Sequence, residues 1–386
     1  MPLSLNHSLS ALEPSEIRVF NRMAAQTPGC IALTLGEPGE TTPEPIRAEV
    51  TCSLQEGKTH YPPNNGTQEL KEAISKYMAD EGIGYDPDQI IVTSGATEAC
   101  FAALMTIVNP GDEVIVPVPN FLLYGAITTI ARGKFVSLDT TPDHFQIDKE
   151  RLEATITPRT KAFVLASPTN PTGCILSKES LAAIAEAAGA HDFYVLVDSV
   201  YEKLVYTDEY MSFAAAYPQL KDRTIVVNSF SKPYAMTGWR LGWLAAPKEL
   251  MGPLSMVHMY TISSVVSFTQ DAAVKALASD VEPFRQSYQK RRDIVIKALK
   301  EMGLEVTVPE GAFYAFPSIK GLCDEEGKQL GAREFCMRSI KEVGVALVPG
   351  NCFGAEGFVR LSYATDEDTL REGLKRLATF VKKLRC

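Results

Sequence analysis

The chain has 386 residues, 45% of them hydrophobic and 22% charged, with a formal net charge of −9 and a pI near 5.3. That length admits two domains, the composition is that of a globular protein, and the acidity argues against a nucleic-acid or anionic-membrane partner. No apolar run reaches the ~20 residues of a membrane span, and Met1–Ser10 lacks the basic and apolar regions of a signal peptide.

A helix is predicted around Ser15–Ala25. The apolar run Ile31–Leu35 then reaches Gly36-Glu37-Pro38-Gly39, where a glycine lets backbone approach a ligand or simply turns the chain. Tyr61-Pro62-Pro63-Asn64-Asn65-Gly66 is a loop by composition, and Leu70, Ile74 and Tyr77 share one face of the helix after it. The strand Ile90–Thr93 turns at Ser94-Gly95-Ala96-Thr97-Glu98 into a helix ending near Val108, apolar almost all round and therefore buried. Such a glycine turn leaves backbone N–H groups free at the helix start, where an anion binds well.

A strand at Asp112–Val116 precedes Pro117-Val118-Pro119-Asn120-Phe121 and a helix that includes Tyr124. A strand at Lys134–Leu138, a helix at Ile147–Thr155 and a strand at Lys161–Ala166 follow, the last ending in the turn-rich Ser167-Pro168-Thr169-Asn170-Pro171-Thr172-Gly173. Ser177 caps a helix with Leu181, Ile184, Ala185 and Ala188 on one face. Phe193–Val197 is wholly apolar, as inside a parallel sheet, and stops at Asp198. A carboxylate there is either a helix cap or a ligand group at the strand end where α/β enzymes bind. The alternation of strand and helix makes the fold α/β with a mostly parallel sheet.

The most informative stretch is Ser229-Phe-Ser-Lys-Pro-Tyr-Ala-Met-Thr-Gly-Trp-Arg-Leu-Gly-Trp243, reached through the strand-like Thr224–Asn228. Lys232 stands between Ser229 and Ser231, with Gly238 and Arg240 just beyond. Paired hydroxyls and a guanidinium are groups for holding a phosphate. With them, Lys232 reads as a Schiff-base lysine of pyridoxal phosphate (PLP) chemistry. An apolar strand, Leu241–Ala246, follows, then helical patterns over Lys248–Ala278 and a long basic helix over Glu282–Met302. The remainder is α+β in style, with strands at Leu304–Val308, Ala312–Phe316 and Val345–Val348 and helices at Ala332–Val343 and Asp366–Leu384, the last capped by Thr365. Arg360, inside the apolar Phe358–Tyr363, needs an anionic partner, either a substrate carboxylate or an internal salt bridge.

These motifs, in this order, resemble the class I aminotransferases, PLP enzymes of fold type I. The resemblance covers nearly the whole chain. It implies a large PLP-binding domain, residues 44–285, with a mostly parallel seven-stranded sheet flanked by helices, and a smaller α+β domain from both termini, 1–43 and 286–386. It implies Lys232 as the cofactor lysine, Asp198 as partner of the pyridine nitrogen, and Tyr201 and Asn170 as partners of the phenolic oxygen. Gly95, Ala96, Thr97, Ser229, Ser231 and Arg240 surround the phosphate, Phe121 stacks on the ring, and Gly36, Asn170 and Arg360 receive the substrate carboxylate. It further implies cis bonds before Pro171 and Pro119, and a homodimer with shared active sites in which Tyr61 reaches the neighbouring subunit's phosphate.

Substrate choice is less sharply written. Aspartate-specific relatives carry an arginine some way past the lysine or a lysine in the phosphate loop, whereas Leu241–Phe284 has no arginine and position 97 is threonine. A neutral aromatic or aliphatic amino donor is therefore expected, with 2-oxoglutarate or pyruvate as acceptor. Aspartate transamination, or a carbon–sulfur β-lyase on the same scaffold, is the alternative. A regulator fused to a DNA-binding module would need an additional N-terminal domain, and a nicotinamide enzyme a Gly-x-Gly-x-x-Gly after its first strand. The eight cysteines form no Cys-x-x-Cys and the five histidines show no metal spacing, which reads as reduced thiols in a cytoplasmic protein without a zinc site or disulfide framework.

Overall fold

The structure, a computed structural model, describes residues 3, 6–12 and 14–385. Part of Met1–Ser10, and Cys386, lie outside the described residues. Twelve strands are present among those described: β1 (Ile31–Ala32), β2 (Ile90–Thr93), β3 (Glu113–Val118), β4 (Lys134–Asp139), β5 (Thr160–Ala166), β6 (Tyr194–Asp198), β7 (Thr224–Ser229), β8 (Gly242–Ala245), β9 (Tyr314–Ala315), β10 (Val345–Ala346), β11 (Val348–Pro349) and β12 (Val359–Ser362). Seven of them form one sheet in the order β2-β8-β7-β6-β5-β3-β4, in which β8 alone runs against its neighbours.

Residue alternation along these strands feeds apolar side chains to both faces of the sheet. Val114, Val116, Val164, Leu196 and Val227 pack with the helix Gly95–Ile107 on one face. Ile115, Phe163, Leu165, Val195 and Val197 pack with Leu181 and Ile184 of the helix Lys178–Ala190 on the other. Ser177 caps that helix, accepting from the Ser180 N–H at 3.1 Å. Each fully buried Leu, Ile, Val or Phe contributes about 1.5–3 kcal/mol, so the strand ends are held by cores on both sides.

A further core joins Phe20, Ala24 and Leu33 to Tyr288, Val295, Phe313, Phe335, Leu361 and Phe380. It lies among the helices Glu16–Gln26, Glu282–Glu301, Ala332–Val343 and Glu367–Lys383 and the small sheets β1-β10 and β11-β12-β9.

Several local expectations are corrected. The run Ile31–Leu35 is a strand only at Ile31–Ala32; Leu33 still bonds to Ala346, but the Thr34 carbonyl turns away to accept from Arg360. Leu304–Val308 forms no strand, because the Leu304 N–H closes the preceding helix on Leu299 and Val308 is exposed. The run Val345–Val348 breaks at Leu347, pairing with β1 before it and β12 after it. Asp366, not Thr365, caps the last helix, its Oδ1 accepting from the Thr369 N–H at 2.9 Å. Cys30, Cys52, Cys100, Cys174, Cys336 and Cys352 are free, but Cys323 is disulfide-bonded, so the all-reduced reading fails there. Close spacing in sequence, on which that reading rested, does not detect a bond made by the fold.

Candidate active site

The C-terminal ends of β2, β3, β5, β6 and β7 open on one cavity of about 230 Å³. It is lined by Gly36, Ala96, Thr97, Phe121, Asn170, Asp198, Tyr201, Ser229, Ser231, Lys232, Arg240 and Arg360. Ile17, Leu123, Tyr124 and Tyr314 also line it.

Lys232 follows β7 on a loop that returns as β8, so the antiparallel pairs Asn228–Trp243 and Ser229–Gly242 close its base. Its Nζ donates to the Gly36 carbonyl and lies 5.9 Å from the ring centres of both Tyr201 and Phe313. Burial, then the Arg360 charge, push the amine down to about 8. A neutral amine is therefore accessible near neutral pH, as nucleophile or base requires.

One end of the cavity is built for an anion. Ala96 and Thr97 come from the first turn of Gly95–Ile107, where N–H groups lack helical partners. Ser229 Oγ donates to Ser231 Oγ at 2.8 Å and, as an alternative, to the Leu241 carbonyl at 3.1 Å. Arg240 has a left-handed backbone (φ 53°) and donates to the Thr237 carbonyl at 2.9 Å. Gly95 is beside it, at φ +77°, and a Cβ there would stand 2.7 Å from Arg240 Nη2. Only glycine suits that backbone and that spacing.

Asp198 closes β6. Tyr124 donates to its Oδ2 at 2.7 Å and the Val200 N–H to its Oδ1 at 3.2 Å. Burial pushes the carboxyl up, while these bonds and the Lys232 charge pull it back. Tyr201 Oη is 2.8 Å from Tyr314 Oη. Behind Ser229, the Asn228 amide donates to the half-buried Glu202 at 2.6 Å, and Glu202 is pushed up to about 7, chiefly by loss of solvation.

Arg360 is 2% exposed. It donates to Asn170 Oδ1 at 2.8 Å and the Thr34 carbonyl at 2.7 Å, and its guanidinium lies 4.5 Å from the Tyr314 ring centre and 4.9 Å from that of Phe353. Neutral oxygens and rings are its partners; no carboxylate pairs with it among the described residues, and its buried Nε has no acceptor. The internal salt bridge is thus excluded within these residues. Such a charge is held ready for an external anion.

Of the residues singled out in the sequence, Gly95 lies just behind the cavity wall and Tyr61 stands outside it, 90% exposed. Cis bonds precede Pro119 and Pro171, and a third, unanticipated, precedes Pro168. Tyr314, Ile17, Leu123 and the carbonyl of Thr34 were not anticipated; Tyr314 sits in a run read only as a strand, and its Oη would be 2.9 Å from a Cβ on Gly36. Among the described residues no His/Cys/Asp/Glu cluster could hold a metal ion, and no helix is long and apolar enough to cross a membrane.

The sheet order and this cavity define a fold type I architecture of the PLP-dependent kind. The sequence profile described as "Aminotransferase class I and II" matches residues 28–377. The chain belongs to that family and is a transaminase. It is 40% identical to aromatic-amino-acid aminotransferase 2 of Thermococcus litoralis, over 99% of both chains. It is 38% identical to the aspartate/prephenate aminotransferase of Thermus thermophilus, over 97% of this chain and 98% of the other. The crystal structure of the aspartate aminotransferase from Rhizobium meliloti superposes with a TM-score of 0.95 at 36% identity, over 99% of this chain and all of that one.

Proposed function

We propose that the protein transfers the amino group of a neutral aromatic or aliphatic L-amino acid to a 2-oxo acid such as 2-oxoglutarate or pyruvate, using PLP held by Lys232 in a ping-pong cycle. The observation that carries this reading is the shared cavity of a lysine pushed down to about 8, a buried carboxylate and an arginine without an anion. The donor set fits the cofactor: hydroxyls, Arg240 and a helix N-terminus suit a phosphate, Asp198 suits a protonated ring nitrogen, and Tyr201 and Asn170 suit a phenolate.

When bound, PLP supplies the electron sink that makes the amino acid Cα–H acidic. With PLP bound, Lys232 would be the acid–base group that takes up and returns the Cα proton. Arg360 and Asn170, with Gly36 alongside, orient the substrate carboxylate. Asp198, which accepts from Tyr124 and the Val200 N–H, would balance charge on the ring nitrogen. Phe121 offers an apolar face to the ring.

The donor preference is supported by the lining. Its cations are Lys232, Arg240 and Arg360, all committed, and Ile17, Phe121 and Leu123 are apolar. A second carboxylate on the substrate has no further guanidinium or ammonium among these residues. A panel of amino donors, read by the half-reaction spectrum, tests this. Aromatic or aliphatic donors should turn over best; fastest reaction with aspartate would overturn the preference, and pyruvate release from cystathionine without an acceptor would point to the β-lyase.

The division into 44–285 and the paired segments 1–43 and 286–386 belongs to this proposal, supported by the core that joins Phe20 and Leu33 to Phe313–Phe380. So does a homodimer with shared sites, supported by exposed Tyr61 and by exposed Met256, Met259 and Tyr260 on the helix Lys248–Ile262. A cytoplasmic place of action is supported by six free thiols, with Cys323 as the opposing signal.

A further inference from the structure

A buried histidine that the chemistry does not use ties the Tyr61 loop to the turn that lines the anion end of the cavity. His258, on the helix Lys248–Ile262, is fully buried. Its Nδ1 is 3.1 Å from Glu98 Oε1 and its Nε2 is 2.8 Å from the Asn64 carbonyl oxygen. The other oxygen of Glu98, Oε2, accepts from the Ser94 N–H at 3.1 Å, at the start of the helix whose first turn lines the anion end of the cavity. Asn64 belongs to the loop that carries Tyr61, and Ser255 of the histidine's own helix donates to Asn65 Oδ1 at 2.7 Å in the same loop. A continuous path therefore runs from the Tyr61 loop through His258 and Glu98 to Ser94.

Counting protons along that path constrains it. A carbonyl oxygen only accepts, so Nε2 must carry a hydrogen. The contact between Nδ1 and the Glu98 carboxyl needs one hydrogen as well, on either atom. The pair thus holds one proton more than a neutral imidazole facing a carboxylate. Without it, two lone pairs would meet 3.1 Å apart in a buried place. Both ring nitrogens have polar partners, which fixes the ring orientation.

We propose that the His258–Glu98 pair is a protonated brace that positions the Tyr61 loop against the phosphate-binding turn, so that cofactor retention depends on its shared proton. This rests on the PLP reading above. Glu98, from the helix Gly95–Ile107, and the Asn64 carbonyl, from the loop, are the groups acting on the His258 titration; no lysine or arginine is among them. Burial alone would push the imidazole down, but Glu98 and Asn64 more than offset it, so the net displacement is upward. The sign follows: the brace is intact at low pH and is lost as pH rises through the raised value.

Two variants separate the brace from general packing. In Glu98→Gln the amide oxygen can still accept from Ser94 and the amide nitrogen can donate to a neutral Nδ1, so the path closes without the additional proton. His258→Phe fills the space and opens the path. PLP dissociation constants of the apo-protein, measured by fluorescence from pH 6 to 10, should show affinity falling faster at alkaline pH in wild type than in Glu98→Gln. His258→Phe should bind at least about tenfold more weakly at the acid end of that range, as loss of hydrogen bonds to a charged group would give, and the difference should narrow as wild type loses its brace. The ¹⁵N shifts of His258 in the apo-protein supply a readout free of cofactor: both nitrogens protonated, or Nδ1 sharing the Glu98 proton, until the same alkaline step. Coincident wild-type and Glu98→Gln profiles, or a neutral His258 whose Nδ1 takes part in no hydrogen bond at pH 7, would overturn the brace even if His258→Phe fails to fold. Failure of all forms to take up PLP would instead overturn the cofactor reading.

Discussion

Tyr124 donates its phenolic hydrogen to Asp198 Oδ2 at 2.7 Å, between two side chains that are both buried. Burial pushes that carboxyl up, and the Tyr124 bond is the first of the interactions that pull it back. Asp198→Ala should slow Cα proton removal on the order of 10²-fold or more. Tyr124→Phe should cost about tenfold, in the range of one hydrogen bond to a charged group. Single-turnover rates check both, and an Asp198→Ala rate within about threefold of wild type would remove Asp198 from the ring nitrogen.

Lys232→Ala should abolish transamination and the absorbance of the lysine-bound cofactor, while PLP can still bind noncovalently. Borohydride reduction followed by peptide mapping is the check. A reducible PLP adduct in the variant would mean that another lysine holds the cofactor.

The depressed Lys232 sets a pH window. An ordinary lysine loses its proton near 10.4, whereas this one does so at about 8, first because it is buried. Covalent capture of PLP by the apo-protein should therefore accelerate as pH rises through about 8 and level above it. A half-rise near 10 would show an unshifted amine. Linkage has the same direction: between these values the unfolded chain binds more protons than the native one, so the cost this group imposes on folding shrinks as pH rises and is gone above the ordinary value.

Arg360→Lys keeps a charge but loses the planar fork that reaches Asn170 and Thr34 together. KM for the amino donor should rise by about tenfold or more, with a smaller change in PLP affinity. An unchanged KM would count against Arg360 as the carboxylate partner.

Tyr61 can be tested by mixing subunits. Lys232→Ala is combined with a Tyr61 variant crippled enough to be nearly inactive alone. In a shared-site dimer, hybrids contain one site with Lys232 from one chain and intact Tyr61 from the other, and activity returns. Verified exchange without recovery would place Tyr61 outside the site, and an active monomer would end the shared-site proposal. Tyr61→Phe alone should weaken PLP retention by about 1.5–3 kcal/mol, the scale of a charge-assisted hydrogen bond.

How much of this could be read beforehand varied with the distance over which each feature is encoded. The place of Lys232 in the cavity was legible because its serines, glycine and arginine are sequence neighbours. Asp198 was legible because an unbroken apolar strand ends there. The Tyr201–Tyr314 contact joins residues 113 apart and leaves no local trace. The same holds for Thr34, whose carbonyl serves Arg360 from the far end of the chain. Apolar runs locate strands but not their partners, so Leu304–Val308 looked like a strand with no ladder to join, and the reversed direction of β8 was invisible.

That reversed strand bears on how the protein is made. β8 lies between β2 and β7, and β2 has no other neighbour in the sheet among the described residues. On the ribosome, the Val92 N–H can meet the Asn65 carbonyl early, but the edge of residues 90–93 that pairs with β8 must wait for 242–245. The lysine loop lies just ahead of that last strand, so the sheet's outer edge and the cofactor pocket are finished in one late event. Long-range pairing of this kind is slow and leaves an edge exposed meanwhile. A nascent chain halted before residue 242 should therefore display an unpaired β2 and be a preferred client of chaperones, whereas one released beyond 245 should not.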